Sequence, residues 1–242
     1  MEKKILDIAI DIETLSRKPT AAIIAIAACP FYLDGWGEEE KPSDEPFSKT
    51  VDAASCAMYG MDFDKGTVIY WSQQPEKAKS QFLYGWASSI KGALEGLKDA
   101  VEKWKETHGA TGLRVWMQGT DFDGAILRNA YITVFDDDKT MGENESLPWK
   151  HDELRDSRTF IVEHMRRFHP EAENPYSVIP PLEGLTKHVA DDDVKQLIHN
   201  VQFCWHEQNE YDELLLSYKE KELHENAQDH LETLNERSYE KE

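Results

Sequence analysis

The chain has 242 residues, a formal charge of −20 and no apolar stretch long enough to cross a membrane, so a soluble globular protein with no membrane partner is expected. The charge argues against tight binding of long nucleic-acid tracts, because affinity for phosphates usually rests on Lys and Arg. Its three cysteines, Cys29, Cys56 and Cys204, lie far apart and form no CxxC pair, so reduced thiols and a cytoplasmic setting are expected.

The opening MEKKILDIAIDIE is basic then apolar, but Asp7, Asp11 and Glu13 interrupt the run, which argues against a signal peptide. KILDIAIDIET alternates as a strand, with Ile8, Ile10 and Ile12 on one face and Asp7, Ala9, Asp11 and Glu13 on the other. AAIIAIAACPFYL suits a buried second strand, Asp34 to Pro46 a charged loop, and Phe47 to Ala53 a third strand. A helix is expected from about Lys65, broken near Pro75. Ala87 to Thr107 carries Ile90, Leu94, Leu97, Val101 and Trp104 at helical spacing, and Gly109 to Gly112 ends it. LRVWMQG then reads as a strand, DGAILRNAYITVF as a helix, Asp136 to Pro148 as a polar loop, and RTFIVEHMRRF as a helix. A Pro-rich connection, Asn174 to Pro181, leads to a last long helix from about Asp191. This order points to an α/β or α+β fold around a mixed sheet. Residues 1–206 form the expected domain, with 207–242 an acidic helical extension fraying over Glu232 to Glu242.

Asp11 and Glu13 stand two apart on a strand, so their carboxylates leave the same face. They can bridge divalent cations, or simply end a strand in water. Asp123 precedes Ile126, Leu127 and Ala130 at i+3, i+4 and i+7, which places it on the inward stripe of its helix. Such a carboxylate either caps the helix or binds a cation; Asp121 is the better placed cap, leaving Asp123 as ligand. Asp193 repeats the pattern with Leu197 and Val201, while Asp191 and Asp192 are available as caps. His188 falls in the loop before that helix, able to swing over the acids or to stay an ordinary exposed histidine. Buried carboxylates without partners are costly, and an all-oxygen set favours Mg²⁺ or Mn²⁺ over zinc. The segment Cys204-Trp205-His206 lacks partners at zinc-ligand spacing and reads as packed helix.

IDIET, GTDFDGAIL and HVADDD, in this order, resemble the three motifs of the DnaQ-like 3′–5′ exonucleases, in the histidine-bearing subgroup (DEDDh), whose His-x₄-Asp spacing His188 and Asp193 reproduce. DKGTVIYWSQQPEKAK, WMQGTDFDGAILRNAY and RDSRTF extend the likeness to phage exonuclease A proteins and related bacterial exoribonuclease-like domains, over roughly residues 5 to 205. The resemblance implies a ribonuclease H-like fold, a central mixed sheet flanked by helices. It implies Asp11, Glu13, Asp123 and Asp193 as ligands of two divalent cations, His188 as general base, and Thr14 and Leu15 near the terminal nucleotide. Asp191 replaces a more usual apolar residue before the last acidic pair, without removing a ligand.

The implied reaction is hydrolysis of the 3′-terminal phosphodiester of single-stranded nucleic acid, DNA favoured and RNA allowed, releasing nucleoside 5′-monophosphates. The host cytoplasm is the expected location for a phage chain, and a homodimer is left open. Phe122, beside a ligand, is a candidate for stacking on bases, as are Tyr70 and Trp71, although Trp71 better suits a core. Arg155 and Arg158, with Arg166 and Arg167 beyond, offer a patch for backbone phosphates; alternatively Asp156 and Arg158 pair across a turn. Two rival readings remain: an acidic interaction protein mimicking DNA, and a catalytically idle exonuclease-like subunit.

Overall fold

The computed structural model describes residues 4–34, 45–83, 87–135 and 146–239. Most of the charged loop from Asp34 to Pro46 and of the polar loop from Asp136 to Pro148 lies outside the described residues, as does the last part of the tail.

The core is a mixed sheet of five strands among the described residues: β1 (Ile5–Thr14), β2 (Ile23–Phe31), β3 (Phe47–Thr50), β4 (Gly112–Met117) and β5 (Leu154–Asp156). They lie in the order β3-β2-β1-β4-β5. The first three are antiparallel neighbours, whereas β4 runs parallel to β1 and β5 parallel to β4. Two of these links are hairpin-like and local; the parallel ones require the long crossovers that α helices supply. The strand β5 is only three residues long, too short for any alternation to announce it in the sequence.

Helices cover both faces. They are α1 (Ala53–Met58), α2 (Lys65–Ser72), α3 (Glu76–Leu83), α4 (Ile90–His108), α5 (Ala125–Phe135), α6 (Ser157–Phe168) and α7 (Ala190–Tyr239). Strand alternation sorts the packing. Ile8, Ile10 and Ile12 of β1 join Leu94, Leu97 and Val101 of α4 and Leu127 of α5 in one cluster. Ala9, Ala25 and Ala27 on the other face meet Val194, Leu197 and Val201 of α7. Alanines there let α7 approach the sheet closely, so the start of α7 sits over the end of β1. The side chains of α4 bury the five residues picked out by helical spacing, Ser89 caps its start, and Gly109 closes it in the left-handed conformation at φ 59°.

One local expectation needs correction. The third strand ends at Thr50 and not at Ala53, because Asp52 caps an α1 that begins at Ala53. The helix expected from Lys65 does stop and re-start at Pro75, as α2 and α3. The last helix, α7, is described to Tyr239.

Candidate active site

The carboxyl-terminal end of β1 carries Asp11 and Glu13, paired with Ala27 and Ala25 of β2. Small partners on β2 leave room above both carboxylates. Asp123 arrives from the turn between β4 and α5, and Asp193 from the first turn of α7.

Asp123 does not sit in an ordinary first helical turn. Residues Thr120–Gly124 form a π-helical turn entered through Gly119, whose φ of 129° is one that side-chain-bearing residues rarely adopt. Asp121 caps nothing there; the Thr120 amide instead donates to Asp156 Oδ2 at 2.9 Å. The inward stripe holds nonetheless: Asp123, Ile126, Leu127 and Ala130 are all buried.

Neither Asp191 nor Asp192 caps α7. Asp191 accepts from Ser48 Oγ at 2.7 Å, tying the helix start to β3. Asp192 is buried and accepts from the Thr186 amide at 3.0 Å and Lys77 Nζ at 2.6 Å. Asp193 Oδ2 accepts from the His188 amide at 2.8 Å. The residues between them form a tight turn, with His188 in the left-handed region at φ 64°, unusual for a side-chain-bearing residue. His188 is therefore held rather than swinging: its Nε2 lies 2.7 Å from the Tyr70 hydroxyl, and its ring meets Tyr70 and Trp71 edge-on.

Among the described residues, one group could hold a metal ion: Glu13, His188 and Asp193 each offer a ligand atom, all within 4.8 Å of one another. Asp11 and Asp123 belong to the same electrostatic cluster. Burial, then Asp123, Glu13 and Asp193, push the Asp11 carboxyl well above its ordinary range. Burial, with Asp193 and Asp123, pushes Glu13 up to about 8. Burial raises Asp123 to about 7, against the opposing charge of Arg158. Burial also raises Asp193, although the His188 amide works the other way. Burial raises all four carboxyls, and Asp11 and Glu13 are pushed up further by the other acids of the cluster; a hard divalent cation would fit this oxygen-rich set and relieve the repulsion.

Beside the cluster runs a groove of about 530 Å³, lined by Ile12, Glu13, Thr14, Arg17, Asp64, Gly66, Thr67, Tyr70, Trp71, Phe122 and His188. Its far wall is α2, fixed by Asp64, which caps the helix through the Thr67 amide at 2.7 Å, and by Trp71, whose Nε1 donates to Thr14 O at 2.8 Å. Thr14 and Phe122 reach the groove, whereas Leu15 is buried in the core. Trp71 is buried as well, and Tyr70 is exposed. Arg17, Asp64 and Thr67 were not singled out by sequence reasoning; the Asp-x-x-Thr cap signature at residues 64–67 was the available signal.

The arginine patch is not assembled. Arg155 donates to the carbonyls of Asp152 and Leu154, Arg166 pairs with Glu163, and Arg167 lies over Phe168 and Tyr211. Arg158 alone among the four is set beside the acids, donating to Gln118 O at 2.8 Å. Asp156 is committed to backbone: it accepts from the Thr120 and Thr159 amides, which hold its carboxyl below the usual range against the burial that would raise it.

Comparison with protein families matches residues 6–205 to the 3′-5′ exoribonuclease Rv2179c-like domain. No curated protein matches the chain. Among solved structures, one chain in the structure of the yeast NOT1 MIF4G domain co-crystallised with CAF1 aligns at 10% identity, covering 87% of this chain and 81% of that one, with a TM-score of 0.41. That likeness is too distant to bear on activity. With residues 6–205 matched, the chain belongs to the family of 3′-5′ exoribonuclease Rv2179c-like domains, and so to the exonucleases.

Proposed function

We propose that the chain removes nucleoside 5′-monophosphates one at a time from the 3′ end of single-stranded nucleic acid. RNA is the first substrate, because the family is described as exoribonucleases; the DNA preference expected from sequence becomes the second reading. The observation that carries the proposal is the convergence of Asp11, Glu13, Asp123 and Asp193 with His188 beside an open groove.

In this reading the four carboxylates hold two divalent cations, Mg²⁺ or Mn²⁺. When bound, such ions lower the pKa of water and stabilise charge on the leaving oxygen. The chain's own residues do the rest. Trp71 and Asp64 fix the groove wall against β1, so the terminal nucleotide is received next to Thr14 and Phe122. Phe122 offers an aromatic face for a base. Arg158 draws the approaching phosphate toward Asp123. His188, backbone-anchored by Asp193, accepts a proton from the attacking water.

Labelled RNA and DNA oligonucleotides with Mg²⁺ or Mn²⁺ test the proposal. Mononucleotides should appear from the 3′ end only with metal. Asp11→Ala should abolish release, and His188→Ala should slow it by roughly 10²–10⁴-fold. Internal fragments, or undiminished digestion by Asp11→Ala protein, would falsify the assignment.

A further inference from the structure

The π turn Thr120–Gly124 adjoins two concavities. Phe122 lines the groove beside the acids, and Gly124 lines a second, larger cavity of about 750 Å³. Neighbouring Cα atoms are about 3.8 Å apart, so at this turn the two linings lie within about 8 Å of each other, with Asp123 between them. The second cavity carries Lys98 and Lys105 of α4, Arg128 of α5, and Lys150. Lys98, Lys105 and Arg128 are half-buried, and among the described residues Lys105, Arg128 and Lys150 form no ion pair. Of the acids in the lining, Glu153 is taken up by backbone, accepting from the Leu113 amide at 3.0 Å and the Lys150 amide at 2.8 Å. The others, Glu102 and Asp152, are exposed. A half-buried cation gives up hydration that an anion can replace. With 47 acidic residues against 27 basic ones, carboxylates are the commonest charged groups at hand, yet none is placed on these three cations.

We propose that this cavity receives the single strand upstream of its 3′ end, with backbone phosphates meeting Lys98, Lys105, Arg128 and Lys150. The terminal nucleotide occupies the first groove, its scissile phosphate lies at Asp123, and the strand passes on over the turn. Lys98 and Lys105 are seven residues apart on one helix, about 10 Å along its axis, so the lining follows more than one phosphate. Leu147, Trp149 and Leu154 add apolar surface among the cations. That mixture suits a single strand, whose unpaired bases are open to contact while its backbone needs positive charge. The place of the cavity, one residue past a proposed metal ligand, singles out the substrate strand over an unrelated anion. This inference rests on the exonuclease reading and adds to it a dependence on strand length.

Two RNAs with the same 3′ sequence test this, one of about three nucleotides, confined to the first groove, and one of about twelve. In the full chain with Mn²⁺, KM should be roughly tenfold lower for the longer RNA, and should rise with KCl for that RNA alone. In the double variant Lys105→Gln, Arg128→Gln, KM for the longer RNA should rise roughly tenfold, by far more than for the shorter. The slope of log KM against log salt should fall by about 0.7 for each phosphate contact removed. Lys105→Arg with Arg128→Lys keeps both charges and should retain the preference for length, which separates charge from packing. Lys150→Gln, at an exposed position, repeats the test with a smaller factor without disturbing the packed helices. Equal KM for the two lengths in the parent, or equal losses on both RNAs in the double variant, would overturn the proposal and leave the exonuclease reading intact. A parent that digests neither RNA, or Asp11→Ala protein that digests both, would remove that reading and this proposal with it.

Discussion

Glu13 and Asp123 show what the fold gives up to build this site. Their carboxyls are pushed up to about 8 and about 7 from ordinary values of 4.5 and 3.8, first by burial. A carboxyl whose folded pKa lies above its unfolded one binds more protons when folded. Its contribution is intact below the unfolded value and is lost as pH rises through the folded one. Chelated protein should therefore lose thermal stability between about pH 4.5 and 8, and the gain in Tm on adding Mn²⁺ should grow across the same window. Glu13→Gln should flatten the slope and reduce the metal effect. A Tm of the chelated chain that climbs through this range would contradict the cluster's electrostatics. At this scale the sequence was informative where periodicity governs direction. Asp11, Glu13 and Asp123 point where strand and helix spacing places them. Tyr70 was legible only as an aromatic, since its partner His188 is 118 residues away and no local pattern links them.

Turns hold the acids, and here sequence patterns were least informative. Gly119 sits at φ 129°, with Arg158 Nη2 3.6 Å from where a Cβ would be, and it launches the π turn that delivers Asp123. Gly119→Ala should cost about 1–3 kcal/mol and depress kcat by shifting Asp123, measurable by denaturant unfolding beside a turnover assay. Stability and turnover equal to the parent would show that the turn tolerates a side chain. On α7, Asp192 gathers Thr186, Lys77 and Lys195 around one buried carboxylate. Asp192→Ala removes the acceptor of the half-buried Thr186 amide and should cost about 1–3 kcal/mol, with activity falling further because the His188 turn loosens. The capping roles read for Asp121, Asp191 and Asp192 failed for one reason. Helix-start rules assume that acids near a start serve that helix, whereas Asp191 and Asp192 reach other elements and Asp156 takes the amide at the turn where Asp121 stands. The strands β1 and β2 were plain from alternation and apolar runs, but β5 is defined only by pairing to β4.

For the whole molecule, net charge and site pull in opposite directions. A chain of −20 repels a polyanion at long range, while the groove beside the acids presents Arg17 and the turn nearby presents Arg158. Repulsion between bodies is screened over about 10 Å at 0.1 M salt, whereas contacts inside a groove are screened less. With divalent metal held constant, raising KCl from about 20 to about 150 mM should therefore leave KM for a short oligonucleotide flat or lower it. The usual basic nucleic-acid binder behaves oppositely, losing affinity steeply as counterion release becomes less favourable. A steep rise in KM over that range would mean that a cationic track carries the substrate. The same logic bears on α7, which continues to Tyr239, well past Val201 and Cys204, the last of its buried core residues among those described. Its segment from Tyr211 to Leu216 is exposed and holds Tyr211, Leu214, Leu215 and Leu216, with only the Tyr211 ring seated against Phe168. Ending the chain at Leu216 removes Glu220, Glu222, Glu225, Asp229, Glu232, Glu236, Glu240 and Glu242 against Lys219, Lys221, Arg237 and Lys241. The shortened chain should keep its kcat and show a lower KM at low salt, the two converging as KCl is raised; equal KM values at every salt concentration would show that the extension's charge is not felt at the groove.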